Sequence, residues 1–299
     1  LKYRSFKGEN MLLLADKWKE YELIDLGGGE KLERWGDYVL RRPDPQVIWP
    51  IEREWSLWKN PHGHYHRSNR GGGSWEVKKK YPDQWTINYG PLKFKIRPTG
   101  FKHTGLFPEQ AANWDWMIDK IRTAKRPIKV LNLFAYTGGA SVACAYAGAE
   151  VCHVDAAKGM VNWAKENIEL SGLKDRTVRF IVDDVVKFVE REIRRGNRYD
   201  AIIMDPPSYG RGPKGEVWKI EDKLFEFVSL CMQVLSDKPL FFLINSYTTG
   251  FSPIVLENVL ETTIGKKAKG GKIYAGEVGI PASRNGMVLP CGIFGRWER

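Results

Sequence analysis

Asp205-Pro206-Pro207-Ser208-Tyr209 stands directly after the apolar, β-rich run Tyr199-Asp200-Ala201-Ile202-Ile203-Met204. Proline cannot continue a ladder, so a strand over this run ends at Asp205. In an open α/β sheet, ligands bind beyond the carboxyl ends of the strands. The spacing thus sets a carboxylate, two rigid carbonyl-bearing residues and an aromatic ring at one strand tip. That set suits holding a planar, amino-bearing ring such as a nucleobase.

Three further segments carry related chemistry. Val130-Leu131-Asn132-Leu133-Phe134-Ala135-Tyr136-Thr137-Gly138-Gly139-Ala140-Ser141 reads as strand, tight turn and helix start. Gly138 and Gly139 let backbone approach a ligand closely, and a helix start offers free N–H groups. The same pair also serves a plain turn, and it is not the Gly-x-Gly-x-x-Gly of a pyrophosphate grip. Asp155 ends the strand Val151–Val154, where an acid can accept both hydroxyls of a ribose or cap the next helix. Asp183-Asp184 ends Val178–Val182, where a carboxylate can accept from an adenine amino group or, again, cap a helix. Four successive strands each ending in such residues form a far more specific pattern than any one of them.

The elements that position these residues follow from periodicity. From Glu109 onward strands and helices alternate: Ile128–Phe134, a helix to Ala147, Val151–Val154, a helix through Ile168, Val178–Val182, a helix through Arg194, the Asp205 strand, a helix around Leu224–Leu235, Pro239–Ile244 and a helix from Ser252. Lys272–Val278 and Val288–Trp297 read as a closing hairpin. This alternation predicts a doubly wound, mostly parallel Rossmann-like sheet with a late antiparallel hairpin. The preceding stretch differs. It is rich in Gly, Pro and Trp with short β-like pieces, and Asn88-Tyr89-Gly90-Pro91 predicts a hairpin over Gln84–Arg97. The expected division is a small β-rich domain over 1–105 and an α/β domain over 106–299, with no structural signal in residues 1–10.

Composition bounds the partners. The 299 residues carry a formal charge of +11, with 42% hydrophobic and 12% aromatic residues. Between Lys59 and Lys102 stand ten Lys or Arg against two acids, Glu76 and Asp83, interleaved with Tyr65, Trp75, Tyr81, Trp85, Tyr89, Phe94 and Phe101. Cations meet phosphates and aromatic faces stack on bases, so nucleic acid is the favoured partner over a solvated face with a Trp-rich core. The apolar run Met11–Ala15 is too short for a membrane span or signal segment, and a cytoplasmic setting is expected. The four scattered cysteines suggest reduced, buried thiols. His62-Gly63-His64-Tyr65-His66 puts alternate imidazoles on one strand face, but no carboxylate is arranged nearby in sequence, and no metal is expected. The loop Gly210–Gly215 combines glycines with Arg211 and Lys214, as a mobile phosphate-contacting loop or a plain surface loop would.

Asn132 through Ser141, Asp155, Asp183-Asp184 and Asp205-Pro206-Pro207 together resemble the motif series of class I S-adenosylmethionine-dependent methyltransferases. More narrowly, Phe134–Gly139 with Met204–Pro207 is similar to the bacterial 23S ribosomal RNA large-subunit methyltransferase group, as is the entry His103-Thr104-Gly105-Leu106-Phe107-Pro108-Glu109-Gln110. The likeness runs from about Gln84 to Phe251; residues 1–83 do not match, and the N-terminal RNA-binding domain of many such enzymes is not evident there. The resemblance implies S-adenosyl-L-methionine as cofactor and RNA, ribosomal above all, as partner. It implies that Phe134, Ala135, Tyr136, Thr137, Gly138 and Gly139 line the methionine end and that Gln110 approaches from the hairpin side. It further implies Asp155 on the ribose, Asp183-Asp184 near the adenine with Asp184 on its amino group, and Asp205 with Pro206 and Pro207 facing methyl and acceptor. Tyr209 would stack on the acceptor base.

One departure bears on the acceptor atom. Methylation of a cytosine ring carbon needs a thiolate nucleophile. The positions beyond the fourth and fifth strands read Ser208 and Asn245-Ser246-Tyr247, while the cysteines fall at 144, 152, 231 and 291. A base nitrogen is therefore the expected acceptor. Two alternatives stay open: the same fold acting on a small molecule or protein, and an RNA-binding protein with a vestigial pocket. Salt dependence separates the first, and calorimetry with the cofactor the second.

Overall fold

The computed structural model describes residues 11–51, 54–68, 72–211 and 217–299, with Arg211 described in its backbone alone. Residues 1–10 and most of the Gly210–Gly215 loop lie outside the described residues.

One eight-stranded sheet organises the chain. Its first five strands in spatial order are Val178–Val182, Glu150–Asp155, Lys129–Leu133, Ala201–Met204 and Phe241–Ser246, all parallel. Val288–Glu298 then pairs antiparallel with Phe241–Ser246 and with Lys272–Pro281. The expected strand-helix alternation and closing hairpin are both present.

The apolar runs become strands because both faces are covered. Side chains alternate between the faces of a strand, so each run feeds two cores. Val130, Val151, Ile203 and Leu243 join Met117, Ile121, Val142 and Ile168 from helices on one side. Leu131, Leu133, Ile202, Met204 and Phe242 join Val185, Phe188, Leu224, Phe227 and Leu256 on the other. At roughly 1.5–3 kcal/mol per buried large apolar side chain, these two layers hold the central strands, and hence their tips, in register.

A second, five-stranded sheet comprises Tyr21–Gly27, Glu30–Trp35, Tyr38–Pro43, Gly63–Arg67 and Gly73–Val77. The hairpin Trp85–Tyr89/Leu92–Ile96 docks on the helix Lys158–Leu170. Lys95 N donates to Asn167 Oδ1 at 2.8 Å, and Trp163 Nε1 donates to the Lys95 carbonyl at 3.1 Å.

Three features differ from the sequence reading. Met11–Leu14 is a strand of the large sheet, parallel to Lys272–Pro281, although it precedes the β-rich sheet in the chain. Gly276 allows that approach: a Cβ there would sit 1.9 Å from the Met11 carbonyl oxygen. Tyr209–Arg211 pairs with Val217–Lys219 as a small two-stranded ribbon just beyond the Asp205 strand. Finally, Tyr65, Tyr89 and Phe94 from the basic stretch are buried, whereas Lys59, Arg67, Lys78, Lys79, Lys80, Lys93 and Arg97 are exposed. Three of the seven aromatics there fill the interior, Trp75, Tyr81 and Trp85 are half-buried and Phe101 is exposed, so the stretch offers cations more than stacking faces. Among the described residues no helix is long and apolar enough to cross a membrane.

Candidate active site

Parallel pairing brings the predicted tips to one sheet edge. Neighbouring strands lie about 4.8 Å apart, so Asp205, Phe134, Asp155 and Asp183 span about 14 Å across three spacings. Asp183 N donates to the Asp155 carbonyl (3.1 Å), and Ala135 N to the Val154 carbonyl (3.1 Å), extending the ladder just past the strands.

The turn after Lys129–Leu133 is strained and pinned. Phe134 (φ 54°), Tyr136 (φ 50°) and Gly138 (φ 82°) are all left-handed. For the two aromatic residues this costs on the order of 1 kcal/mol or more each and persists where surroundings over-determine it. Tyr136 N donates to Asp155 Oδ2 (2.8 Å), Thr137 Oγ1 to the Gly105 carbonyl (2.5 Å) and Asn167 Nδ2 to the Thr137 carbonyl (2.8 Å). A Cβ at Gly138 would meet the Ala164 Cβ at 2.8 Å, so the helix can close on the turn only over glycine.

The three strand-end acids are placed differently. Asp155 braces the turn: its second oxygen accepts from Ala157 N at 2.8 Å, and each oxygen keeps a lone pair. Burial pushes its pKa up, against those two N–H groups. Asp183 accepts from Asp184 N (2.9 Å) and pairs with Arg191. Asp184 caps the helix Val185–Arg194 by accepting from Lys187 N at 3.0 Å. Asp155, Asp183 and Asp184 line neither of the two cavities at the tips.

The smaller cavity, ≈ 60 Å³, is lined by Phe134, Ala135, Tyr136, Thr137, Gly139 and Ala140 on one side and Gln110, Asn132, Asp205 and Asn245 among others elsewhere. Gln110 is buried and held, its Nε2 donating to Tyr247 Oη (2.7 Å) and its Oε1 accepting from Asn113 Nδ2 (2.7 Å). Asp205 makes no hydrogen bond or ion pair among the described residues. Burial, with the Glu109 carboxylate adding to it, pushes its pKa up to about 7. A strained turn and a donorless carboxylate beside it suit a cationic sulfonium and an incoming amine. The residues thus fit the cofactor that the motif series implies.

A larger chamber of ≈ 640 Å³ adjoins it, sharing Leu106 and Phe107 as a common wall. Its lining comes from the β-rich sheet (Lys31, Glu33, Arg42), the entry Lys102–Glu109, the loop Ser246–Phe251 and the closing hairpin. Phe107 sits between Tyr136 and Tyr247, ring centroids 5.4 and 5.5 Å away. Glu109 and Tyr247 were not legible as site residues. Glu109 reads as a helix-start acid after Pro108, and Tyr247 drew notice only as a position without cysteine.

Other predicted residues fall elsewhere. Tyr209 is 54% exposed and lines neither cavity. Pro207 is exposed and its carbonyl accepts from Trp218 Nε1 (2.7 Å), whereas the buried Pro206 accepts no hydrogen bond among the described residues. Cys144, Cys152 and Cys231 are buried away from the tips, but Cys291 lines the chamber. Burial and then Glu109 push the Cys291 thiol well up, away from a thiolate. The sequence showed no carboxylate near the histidine run, yet folding supplies two: His64 Nε2 lies 2.8 Å from Glu30 and His66 Nε2 2.8 Å from Glu76. His62 Nδ1 instead accepts from Val39 N at 3.0 Å.

Comparison with known proteins gives the family. A family model described as S-adenosylmethionine-dependent methyltransferase matches residues 57–230. The crystal structure of an SAM-dependent methyltransferase from Agrobacterium tumefaciens is 39% identical, with TM-score 0.91, covering 96% of this chain and 93% of that one. A methyltransferase solved in complex with SAH shares the fold at 19% identity, with TM-score 0.75 over 95% of this chain and 76% of that chain. Ribosomal RNA large subunit methyltransferase K/L from Shewanella frigidimarina is 35% identical over 153 residues, which are 50% of this chain and 20% of that protein. The chain thus spans about a fifth of that relative's length. With a family match over more than half its length and a near-complete structural counterpart, the chain belongs to the S-adenosylmethionine-dependent methyltransferases.

Proposed function

We propose that this methyltransferase modifies a base nitrogen in RNA, ribosomal RNA above all. The observation that carries the reading is Asp205: a half-buried carboxyl with no protein donor among the described residues, lining the donor cavity that adjoins a chamber large enough for a base. The bound cofactor supplies a methyl group activated on a sulfonium.

The chain's own residues then hold and align. Phe134–Gly139 and Gln110 grip the methionine end, the free lone pairs of Asp155 take the ribose, and Asp183 and Asp184 border the adenine. Asp205 and the Pro206 carbonyl accept the N–H bonds of the acceptor amine, which raises electron density on its nitrogen. On transfer of that methyl group the acceptor nitrogen would give up its proton to Asp205 or solvent, while Phe134–Gly139 and Gln110 would keep the donor in line. In-line alignment supplies most of the acceleration, because the methyl group is already activated.

The exposed cations from Lys59 to Arg97 support a polyanionic acceptor, and curated relatives named for ribosomal RNA support its type. A cytoplasmic location accords with that substrate. The test is methyl incorporation from labelled cofactor into ribosomal RNA from a strain lacking the gene, mapped by mass spectrometry. Wild type should restore one methyl group; Asp205→Ala should lose transfer by about a thousandfold or more while still binding cofactor in calorimetry. Full activity in that variant ends the assignment.

A further inference from the structure

The larger chamber has two chemically different ends. Near Asp205 stand Glu109 and Tyr247, both lining it. Glu109 is 6% exposed; burial raises its pKa, and its carboxylate in turn raises that of Asp205. Asp205, raised by burial and by Glu109, and Glu109, raised by burial against the pull of Lys31 and Arg42, can together present an O–H donor and an acceptor oxygen.

The other end is cationic. Lys31 lies 3.3 Å from Asp44 and 3.8 Å from Glu33. Arg42 grips Glu33 at 2.6 and 2.8 Å and donates a third N–H to the Lys102 carbonyl at 2.8 Å. Both cations are thus already engaged by protein acceptors. Lys102 lines the same chamber, and its ammonium has no hydrogen bond or ion pair among the described residues. Burial, and the charges of Lys31, Arg42 and Arg67, push its pKa down against the opposing pull of Asp44. Its neighbour His103 is pushed down to about 4 by burial and so stays neutral. An ammonium half-withdrawn from water, with Lys31, Arg42 and Arg67 outweighing Asp44 around it, favours a further anion.

We propose that the chamber takes one nucleotide of the acceptor strand, its phosphate on Lys102 and its base edge at Glu109, reaching past the shared Phe107 wall toward Asp205. This rests on the nucleic-acid reading above and adds to it a site and a base class. An edge with an amino group beside a ring nitrogen, as in adenine or cytosine, matches a paired acceptor and O–H donor. Uracil offers its N3–H and flanking carbonyls to the same pair but has no exocyclic amine to receive a methyl group. The nucleotide leaves its own strand to enter, as in other enzymes acting on bases. The entry segment thus reads the backbone at Lys102 and, with the Asp205 strand tip, the base at Glu109.

Two measurements test this. Wild type loaded with S-adenosylhomocysteine is titrated with AMP, adenosine, CMP and UMP. AMP should bind about tenfold or more tighter than adenosine, CMP and UMP serving as nucleotides with and without an exocyclic amine, and Lys102→Ala should erase the advantage of AMP over adenosine. In methyl transfer to the gene-deletion ribosomal RNA, Lys102→Ala should raise KM about tenfold with kcat little changed, and Lys102→Arg should recover most of it. Glu109→Gln should lower kcat, and S-adenosylhomocysteine affinity in all three variants should equal wild type, showing intact folds. If wild type labels no RNA, the RNA reading itself fails. If it labels RNA but Lys102→Ala keeps the wild-type KM, or AMP and adenosine bind alike, the chamber assignment is overturned.

Discussion

Asp205 illustrates how one residue couples stability to chemistry. Its carboxyl is raised in the folded chain to about 7, against an unfolded value near 3.8. The folded state then binds the proton more readily, so stability falls as pH rises from about 4 through about 7. Asp205→Asn removes that dependence. Denaturation of both proteins at pH 5 and pH 8 should show the variant gaining on wild type at the higher pH, by at most about 2.6 kcal/mol. An equal difference at both pH values would mean the carboxyl titrates normally. Cys291 poses the opposite question. Its place in the chamber wall was not readable from sequence, but its protonated state opposes a role as nucleophile. Cys291→Ala should keep transfer within about threefold of wild type; a loss beyond about a thousandfold would move the acceptor to a ring carbon.

At the scale of elements, the strand tips were legible because buried parallel strands read as apolar runs and proline or glycine marks their ends. Ala201–Met204 before Asp205-Pro206-Pro207 is the clearest case. What the acids do at those tips was not legible. A carboxylate after a strand is equally suited to a ligand or to a helix start, and Asp184 does cap its helix. The turn Phe134–Gly139 was readable as a turn, but its clamp by Asn167 and Gly105 depends on contacts far along the chain. Gly138→Ala tests that clamp. With φ at 82° and Ala164 Cβ at 2.8 Å, the added methyl should cost about 1–3 kcal/mol and weaken cofactor binding about tenfold, seen in thermal melts and calorimetry. The ribbon from Tyr209 moves that ring to the surface, and Phe107 and Tyr247 take the position between the cavities.

At the scale of the molecule, the two sheets are joined rather than strung together. Leu23 of the β-rich sheet bridges Ala282 of the closing hairpin, and Asp25 accepts from Trp58 (2.9 Å) and Arg284 (2.7 Å). This holds the β-rich sheet over the tips and makes the larger chamber. With the basic stretch exposed beside it, RNA affinity should depend steeply on salt: four phosphate contacts lose on the order of a hundredfold between 50 and 200 mM. A KM for RNA that is flat over that range would remove the cationic stretch from recognition.

The sequence by itself determined the alternation of strands and helices, the residues at each strand tip and the excess of cations. Those are local properties: hydrophobic period, turn chemistry and charge are written in consecutive residues. Only the tertiary structure decided which tip residues remain free of protein partners, that Glu109, Tyr247, Lys102 and Cys291 share one chamber, and that Met11–Leu14 completes the large sheet. Those outcomes turn on pairings across tens to hundreds of residues, set by how two cores and two sheets close together, and no local pattern encodes them.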